Sequence, residues 1–116
     1  VVFGQDLLIL VGAGFKPAPT TFESLKWTVF IGTNQNLTSE SATYVLPSAT
    51  YAEKNGTFTN FEGWVQKFTK AFEPLGESLP EWVILQELGK RLGISRSHAN
   101  EEEIFAALAG EVPAFQ

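Results

Sequence analysis

Cysteine is absent from the 116 residues, and so is methionine. Without thiols the chain offers no disulfide framework, no thiolate zinc site and no iron–sulphur ligation of its own. Histidine occurs once, at His98 in the run Ser95-Arg96-Ser97-His98. A lone imidazole among short polar residues fails metal-ligand spacing, and an exposed connection between helices is the simpler account. Basic residues are few as well: eight Lys and Arg against thirteen Asp and Glu leave a net charge of -5. Scattered from Lys16 to Arg96, they form no stripe, so no nucleic-acid partner is expected. Long apolar runs are also missing. Leu7 to Phe15 is interrupted by Gly12 and Gly14 and falls far short of the roughly 20 residues that cross a bilayer, so no direct membrane insertion is expected. Nor does a basic flank precede it, as a signal peptide would require.

What is present is a core's worth of apolar residues, 44% of the chain, with 13% aromatic. That suits one small domain over residues 1–116, with an α/β part and hairpin in 1–73 and a helical tail in 74–116. The opening Val1-Val2-Phe3, without an initiator methionine, reads as the end of a buried strand and suggests a boundary cut upstream. Gly4, Gln5 and Asp6 read as a polar turn. Leu7 to Phe15 reads as helical despite its glycines, and Lys16-Pro17-Ala18-Pro19 as a loop. Thr20 and Glu23 have capping-box spacing for a brief helix over Phe22 to Lys26. Trp27 to Ile31 is aromatic and β-branched, a strand that delivers the polar loop Thr33-Asn34-Gln35-Asn36. A helical turn at Ser39 to Ala42 leads to a strand at Thr43 to Leu46, stopped by Pro47.

Asn55-Gly56 signals a turn, because both residues tolerate positive φ. Thr57 to Asn60 and Trp64 to Phe68 then pair as a hairpin around Glu62-Gly63, with Phe58, Phe61, Trp64, Phe68 and Phe72 packing it down. Ser78 and Glu81 have capping-box spacing before a helix carrying Trp82, Leu85, Leu88 and Leu92, with Lys90, Arg91 and Gly93 at its end. Asn100 caps a last helix whose first turn holds Glu101, Glu102 and Glu103. Its stripe of Ile104, Phe105, Leu108 and Val112 needs a partner surface. The fold class is therefore α/β, with short strands of parallel type, a β-hairpin and two C-terminal helices.

Few residues here can carry chemistry. Glu53 and Glu62 could form a carboxylate pair, but nothing in the sequence fixes their separation. Gly12-Ala13-Gly14 leads into Phe15-Lys16-Pro17, which cannot open a helix onto a phosphate. Asn36-Leu37-Thr38 and Asn55-Gly56-Thr57 match the glycosylation pattern and are read as polar turns. The loop Thr33 to Ser41 lies where open α/β sheets collect ligands, beyond the carboxyl end of a strand. An ordinary strand-to-helix connection would use the same residues. Between Glu53 and Gln66, polar groups alternate with Phe and Trp and are costly to bury unless their hydrogen bonds are met. A polar interface, a loop lock or a solvated hairpin would each account for them.

Taken together, Leu46-Pro47, Glu53-Lys54, Gly56-Thr57, Asn60, Glu62-Gly63 and Gln66, followed by Gly76-Glu77-Ser78-Leu79-Pro80-Glu81-Trp82, resemble the molybdopterin oxidoreductase superfamily. The resemblance runs from about Trp27 to about Gly93, and more weakly through Phe3 to Asp6. Within the superfamily, Glu62-Gly63 leans towards the large iron–sulphur subunit of NADH:quinone oxidoreductase, since formate dehydrogenases more often carry arginine at position 63.

The resemblance implies a fragment of a parallel, Rossmann-like sheet from a larger subunit with a scaffold and assembly role in electron transfer from NADH to quinone. No catalytic or metal-ligating residue is expected in the fragment. Iron–sulphur clusters, and in the formate dehydrogenase branch a molybdopterin, would be held mainly by other parts of the parent. Its partners would be the remainder of its own subunit and other respiratory subunits, in the cytoplasm and peripheral to the inner membrane. Thr33, Asn34, Thr38, Glu53, Lys54, Gly56, Thr57, Asn60, Glu62 and Gln66 are the candidate cofactor-binding residues. Two departures count against an intact cofactor site. Thr43 stands where the family usually has aspartate, and Trp64 where it usually has arginine, whose planar fork an indole cannot replace. A formate dehydrogenase-like fragment and a noncatalytic interaction module are the alternatives.

Overall fold

The computed structural model describes residues 2–3, 7–11 and 25–115. Contacts gather these into two compact units, Val1–Thr50 with Pro74–Glu81, and Tyr51–Glu73 with Trp82–Gln116. The expected turn at Gly4 to Asp6, the loop at Lys16 to Pro19 and the Thr20–Glu23 cap lie outside the described residues. Leu25 and Lys26 are not helical.

The first unit holds a four-stranded sheet in the order β1 (Val2–Phe3), β2 (Leu7–Val11), β3 (Trp27–Gly32) and β4 (Tyr44–Pro47). The first pair is antiparallel, and the two pairs that follow are parallel. Leu7 to Phe15 was expected to be helical, but Leu7–Val11 is a strand. Five consecutive apolar residues suit a strand covered on both faces, and such a run has no periodicity that would separate it from a buried helix. Gly12 to Phe15 lie outside the described residues. Register places Leu10, Phe30 and Val45 in one row, with Ile9 beside Val29 and Val11 beside Ile31 in rows on the opposite face. Ile9, Phe30, Ile31 and Ala49 form the buried core, so both faces of the sheet contribute to it. Complete burial of such an aliphatic side chain stabilises by about 1.5–3 kcal/mol.

The connection from β3 to β4 contains α1 (Leu37–Ser41), which starts two residues earlier than expected because Asn36 caps it. The Asn36 Oδ1 accepts from the amides of Thr38 and Ser39, and the Ser39 hydroxyl accepts from the Asn36 amide in return. Thr28 and Thr43 lock the lower ends of β3 and β4. Each hydroxyl accepts the other residue's amide, at 3.1 and 2.9 Å. Pro47 completes β4 opposite Gly32. Beyond it, Leu79 donates to the Pro47 carbonyl and accepts from the Ala49 amide, which closes the strand's end.

The second unit starts with a 3₁₀ turn, Tyr51–Glu53, and a hairpin of β5 (Gly56–Thr59) and β6 (Val65–Phe68). The positive φ sits at Gly63, at +89°, whereas Gly56 is the first residue of β5. Gly56 is required for a different reason than a turn. A Cβ there would lie 2.9 Å from Cζ of Phe68, whose ring stacks on Phe58 at 4.5 Å. The expected aromatic packing is confined to that stack and to Tyr51 beside Phe58. Phe61, Trp64 and Phe72 are exposed, Phe61 almost fully at 97%. Ala71 and Phe72 donate to the Ala52 carbonyl, and Lys70 donates its amide to Asn55 Oδ1, so the chain leaving β6 is tied to the chain entering β5.

Helix α2 (Glu81–Arg91) ends in a Schellman motif, with Ile94 donating to Gly89, Gly93 to Lys90, and Gly93 at φ +80°. Helix α3 (Glu101–Glu111) is capped by Asn100, which accepts from the Glu103 amide, and Val112 closes its end. Three glutamates in its first turn face the positive end of the helix dipole. The α/β class, the parallel strands, the hairpin and the two terminal helices are as the sequence predicts.

Candidate functional site

The candidate residues fall on both units. Thr33, Asn34 and Thr38 belong to the first, just beyond the carboxyl end of β3. In parallel sheets this edge is where ligands gather. Much of the loop's hydrogen-bonding capacity is already spent within it. Asn36 and Ser39 cap α1, the Ser41 hydroxyl donates to the carbonyls of Leu37 and Thr38, and the Asn34 carbonyl accepts from Asn36 Nδ2.

A residue missed by the sequence reading stands at the same edge. Ser48 follows β4 directly, is 4% exposed, and its hydroxyl has no hydrogen-bond partner among the described residues. Burying an unpaired hydroxyl is costly, so an acceptor or donor from outside this set would stabilise it. The available signal in the sequence was a serine immediately after a strand-ending proline.

Glu53, Lys54, Gly56, Thr57, Asn60, Glu62 and Gln66 belong to the second unit and do not converge. Glu53 is buried in the 3₁₀ turn, and Lys54 half-buried beside it. Asn60 builds the hairpin loop: its Oδ1 accepts from the amides of Glu62 and Trp64, at 3.0 and 2.9 Å. Glu62 is exposed at the tip of that loop. Register then splits the hairpin into two faces. Gly56, Phe58, Gln66 and Phe68 lie on one face, and Thr57, Thr59, Val65 and Lys67 on the other.

The second face and helix α3 border a cavity of about 530 Å³. Thr57, Val65 and Lys67 line it from the hairpin, Trp82 from α2, and Ile104, Phe105 and Leu108 from α3. At its edge Lys67 Nζ donates to Glu102 Oε1 at 2.6 Å. That hydrogen bond, reinforced by charge attraction, raises the Lys67 ammonium above its ordinary value. The Glu102 carboxyl is lowered by the same bond, by a backbone amide and by the nearby positive charge. Among the described residues, no three His, Asp or Glu side chains cluster as a metal site would need. None of their helices is long and apolar enough to cross a membrane.

Residues 20–91 match the family model of the molybdopterin oxidoreductases. The chain belongs to that family. Over 114 residues, 98% of its length, it is 32% identical to a protein named "Putative formate dehydrogenase" from Staphylococcus haemolyticus (strain JCSC1435). Proteins of the same name from Staphylococcus aureus strains USA300 and NCTC 8325 are 34% identical over the same share. In each case the match covers 12% of the relative. The match to the family takes in α1, all of the hairpin and α2, along with the parallel pair β3–β4. The two positions at which the resemblance implies a departure, 43 and 64, have local roles. Thr43 supplies the hydroxyl that Thr28 requires, and Trp64 is an exposed loop residue held through its backbone.

Proposed function

We propose that this chain is one piece of a longer molybdopterin-dependent, formate dehydrogenase-like oxidoreductase, in which it forms part of the α/β scaffold. The observation that carries this reading is the 32–34% identity to proteins named for formate oxidation, spread over 98% of the chain. A molybdopterin group, when bound, would supply the two-electron redox chemistry. The donor set at the carboxyl edge of the parallel sheet suits uncharged parts of such a group. Ser48 brings a buried hydroxyl unmatched among the described residues, and Thr33, Asn34 and Thr38 bring short neutral side chains to the same edge. Charged parts would need residues from elsewhere in the parent, since Lys26 is the one basic residue among the described part of this unit.

In this role the chain's own residues position and shield; they neither take up electrons nor move a proton. Metal and pterin analysis of the complete natural polypeptide, with a formate-oxidation assay, tests the reading. Molybdenum and pterin with formate turnover are expected. A purified polypeptide that folds, contains neither and leaves formate unchanged would overturn it.

A second reading keeps the chain in the large iron–sulphur subunit of NADH:quinone oxidoreductase, peripheral to a membrane and packed on other respiratory subunits. Glu62-Gly63 favours it. That support is reduced because Gly63, at φ +89°, answers a local backbone need of the hairpin loop. Iron–sulphur clusters without molybdenum in the same analysis would select this second reading.

A further inference from the structure

Asn55-Gly56 carries a reactivity that the hairpin holds back. In an Asn-Gly step the glycine amide nitrogen can attack the asparagine side-chain carbon Cγ, and no Cβ on the glycine obstructs the approach. Two features of the second unit oppose that attack. The Asn55 Oδ1 accepts the Lys70 amide at 3.0 Å, which fixes the side chain across the open end of the hairpin. Asn60 donates to the Trp64 carbonyl, so the alternation of an antiparallel ladder makes Gly56 and Phe68 a hydrogen-bonded pair, with the Gly56 N–H donating to the Phe68 carbonyl. The nucleophile therefore keeps its proton and faces the partner strand. Asn55 itself is only half-buried, so water has access to it once the strands part.

We propose that Asn55-Gly56 is a fold-gated modification site, closed while β5 and β6 are paired and converted to isoaspartate when the hairpin opens. Opening frees the Gly56 amide, whose nitrogen loses its proton and bonds to Cγ. The Cγ–Nδ2 bond breaks, and the side-chain nitrogen leaves with that proton as ammonia, giving a succinimide. Water then opens the ring. Addition at Cγ gives aspartate, whereas addition at the main-chain carbonyl carbon gives isoaspartate, whose main chain runs through Cβ and Cγ and is longer by a carbon. Gly56 has little room to absorb that lengthening, because Cζ of Phe68 would lie 2.9 Å from a Cβ built there. The oxygen that held the Lys70 amide is also displaced, so a hairpin that has opened and reacted stays open.

The first test needs no variant. The 116-residue chain, folded in buffer or unfolded in urea, is incubated at one mildly alkaline pH, digested and mass-mapped, with isoaspartate and aspartate peptides separated by chromatography. In urea Asn55 should convert well ahead of Asn34, Asn36, Asn60 and Asn100, each of which precedes a residue with a side chain, and folding should abolish that lead. Asn60→Ala removes the acceptor of two loop amides, so it should speed Asn55 conversion about fivefold in the folded chain and leave the rate in urea unchanged. After urea is removed, the isoaspartate form should show fast amide exchange at Val65 to Phe68. Asn55→Asp keeps the backbone length and an acceptor for Lys70, and should exchange as slowly as the parent chain. Equal Asn55 conversion in the folded and unfolded chains, or equal exchange in the isoaspartate form and Asn55→Asp, overturns the proposal.

Discussion

The two units are stabilised in different ways. In the first, four apolar side chains among the described residues are buried, Ile9, Phe30 and Ile31 on the sheet and Ala49 just beyond β4, with Ile9 and Ile31 to within 1% of full burial. In the second, no apolar side chain among the described residues is fully buried, and the one buried residue is the carboxylate Glu53. That unit is organised by turn and cap chemistry: the Asn60 loop, the Schellman motif at Gly93, the Asn100 cap and a single ring stack. A sheet with residues buried on both faces carries its own driving force for folding. A hairpin and two helices with half-exposed faces take their shape from local hydrogen bonds and leave apolar area uncovered. The contrast predicts that the largest mutational effects lie in the first unit.

Ile31→Ala sets the upper limit. With the side chain wholly buried, truncation leaves a cavity and should cost about 2–5 kcal/mol in urea unfolding followed by circular dichroism. Leu108→Ala, at a position 38% exposed and already bordering open space, should cost under about 1 kcal/mol. Equal losses at the two positions would remove the distinction between the units.

Within the second unit, Gly56→Ala tests whether the hairpin has any jigsaw character. The new Cβ would sit 2.9 and 3.1 Å from two ring carbons of Phe68, and that ring is held in its stack on Phe58, at 4.5 Å between centroids. A loss of about 1–3 kcal/mol is expected, with partial recovery in the Gly56→Ala, Phe68→Leu double variant. Gly110→Ala is the control. Nothing lies within 4 Å of the added carbon, and relief of helical entropy should stabilise α3 by up to about 1 kcal/mol.

How much of this was legible depended on the kind of force involved. Caps and stops are local, so Asn100, Gly93 and the two terminal helices could be read from spacing alone. The helix expected over Leu7 to Phe15 failed because a short unbroken apolar run fits a buried strand as well as a helix, and only partner strands decide between them. Asn55-Gly56 misled for a related reason: glycine there makes room for Phe68, a long-range contact invisible in the dipeptide. Thr33, Asn34 and Thr38 lie just beyond the carboxyl end of β3, where a polar loop after a strand places them. The Ser48 hydroxyl and the Trp82 indole, buried without a partner among the described residues, could not be read in advance, because that is a property of packing and not of residue type.

Asn60→Ala probes the loop chemistry directly. Removing Oδ1 leaves the Glu62 and Trp64 amides to solvent, and both are exposed enough to find water, so a loss of about 1 kcal/mol is expected. Amide exchange at Val65 to Phe68 should accelerate, while exchange across β2 and β3 stays unchanged. Faster exchange in both units would mean that they unfold as one.

The smallest effect concerns the Lys67–Glu102 pair, which ties the hairpin to α3 and is exposed on both sides. The Glu102 carboxyl titrates below its ordinary value in the folded chain, first through the Lys67 hydrogen bond. Its contribution is therefore fully present above the unfolded-state value and is lost as pH falls through the lowered one. Lys67 is shifted upwards, so its contribution is present below the ordinary lysine range and disappears as pH rises through the raised value. Between those limits Glu102→Gln should lower the urea midpoint slightly, and the difference from the parent chain should shrink in acid and in high salt. Glu87, lowered by Lys90 within α2, supplies the matching local case. Glu87→Gln should show the same acid dependence without altering exchange in the hairpin, whereas Glu102→Gln should alter it. If the two variants behave alike in the hairpin, the pair at the cavity edge adds nothing to the tertiary structure of the second unit. Its order would then rest on turns, caps and ring stacking alone.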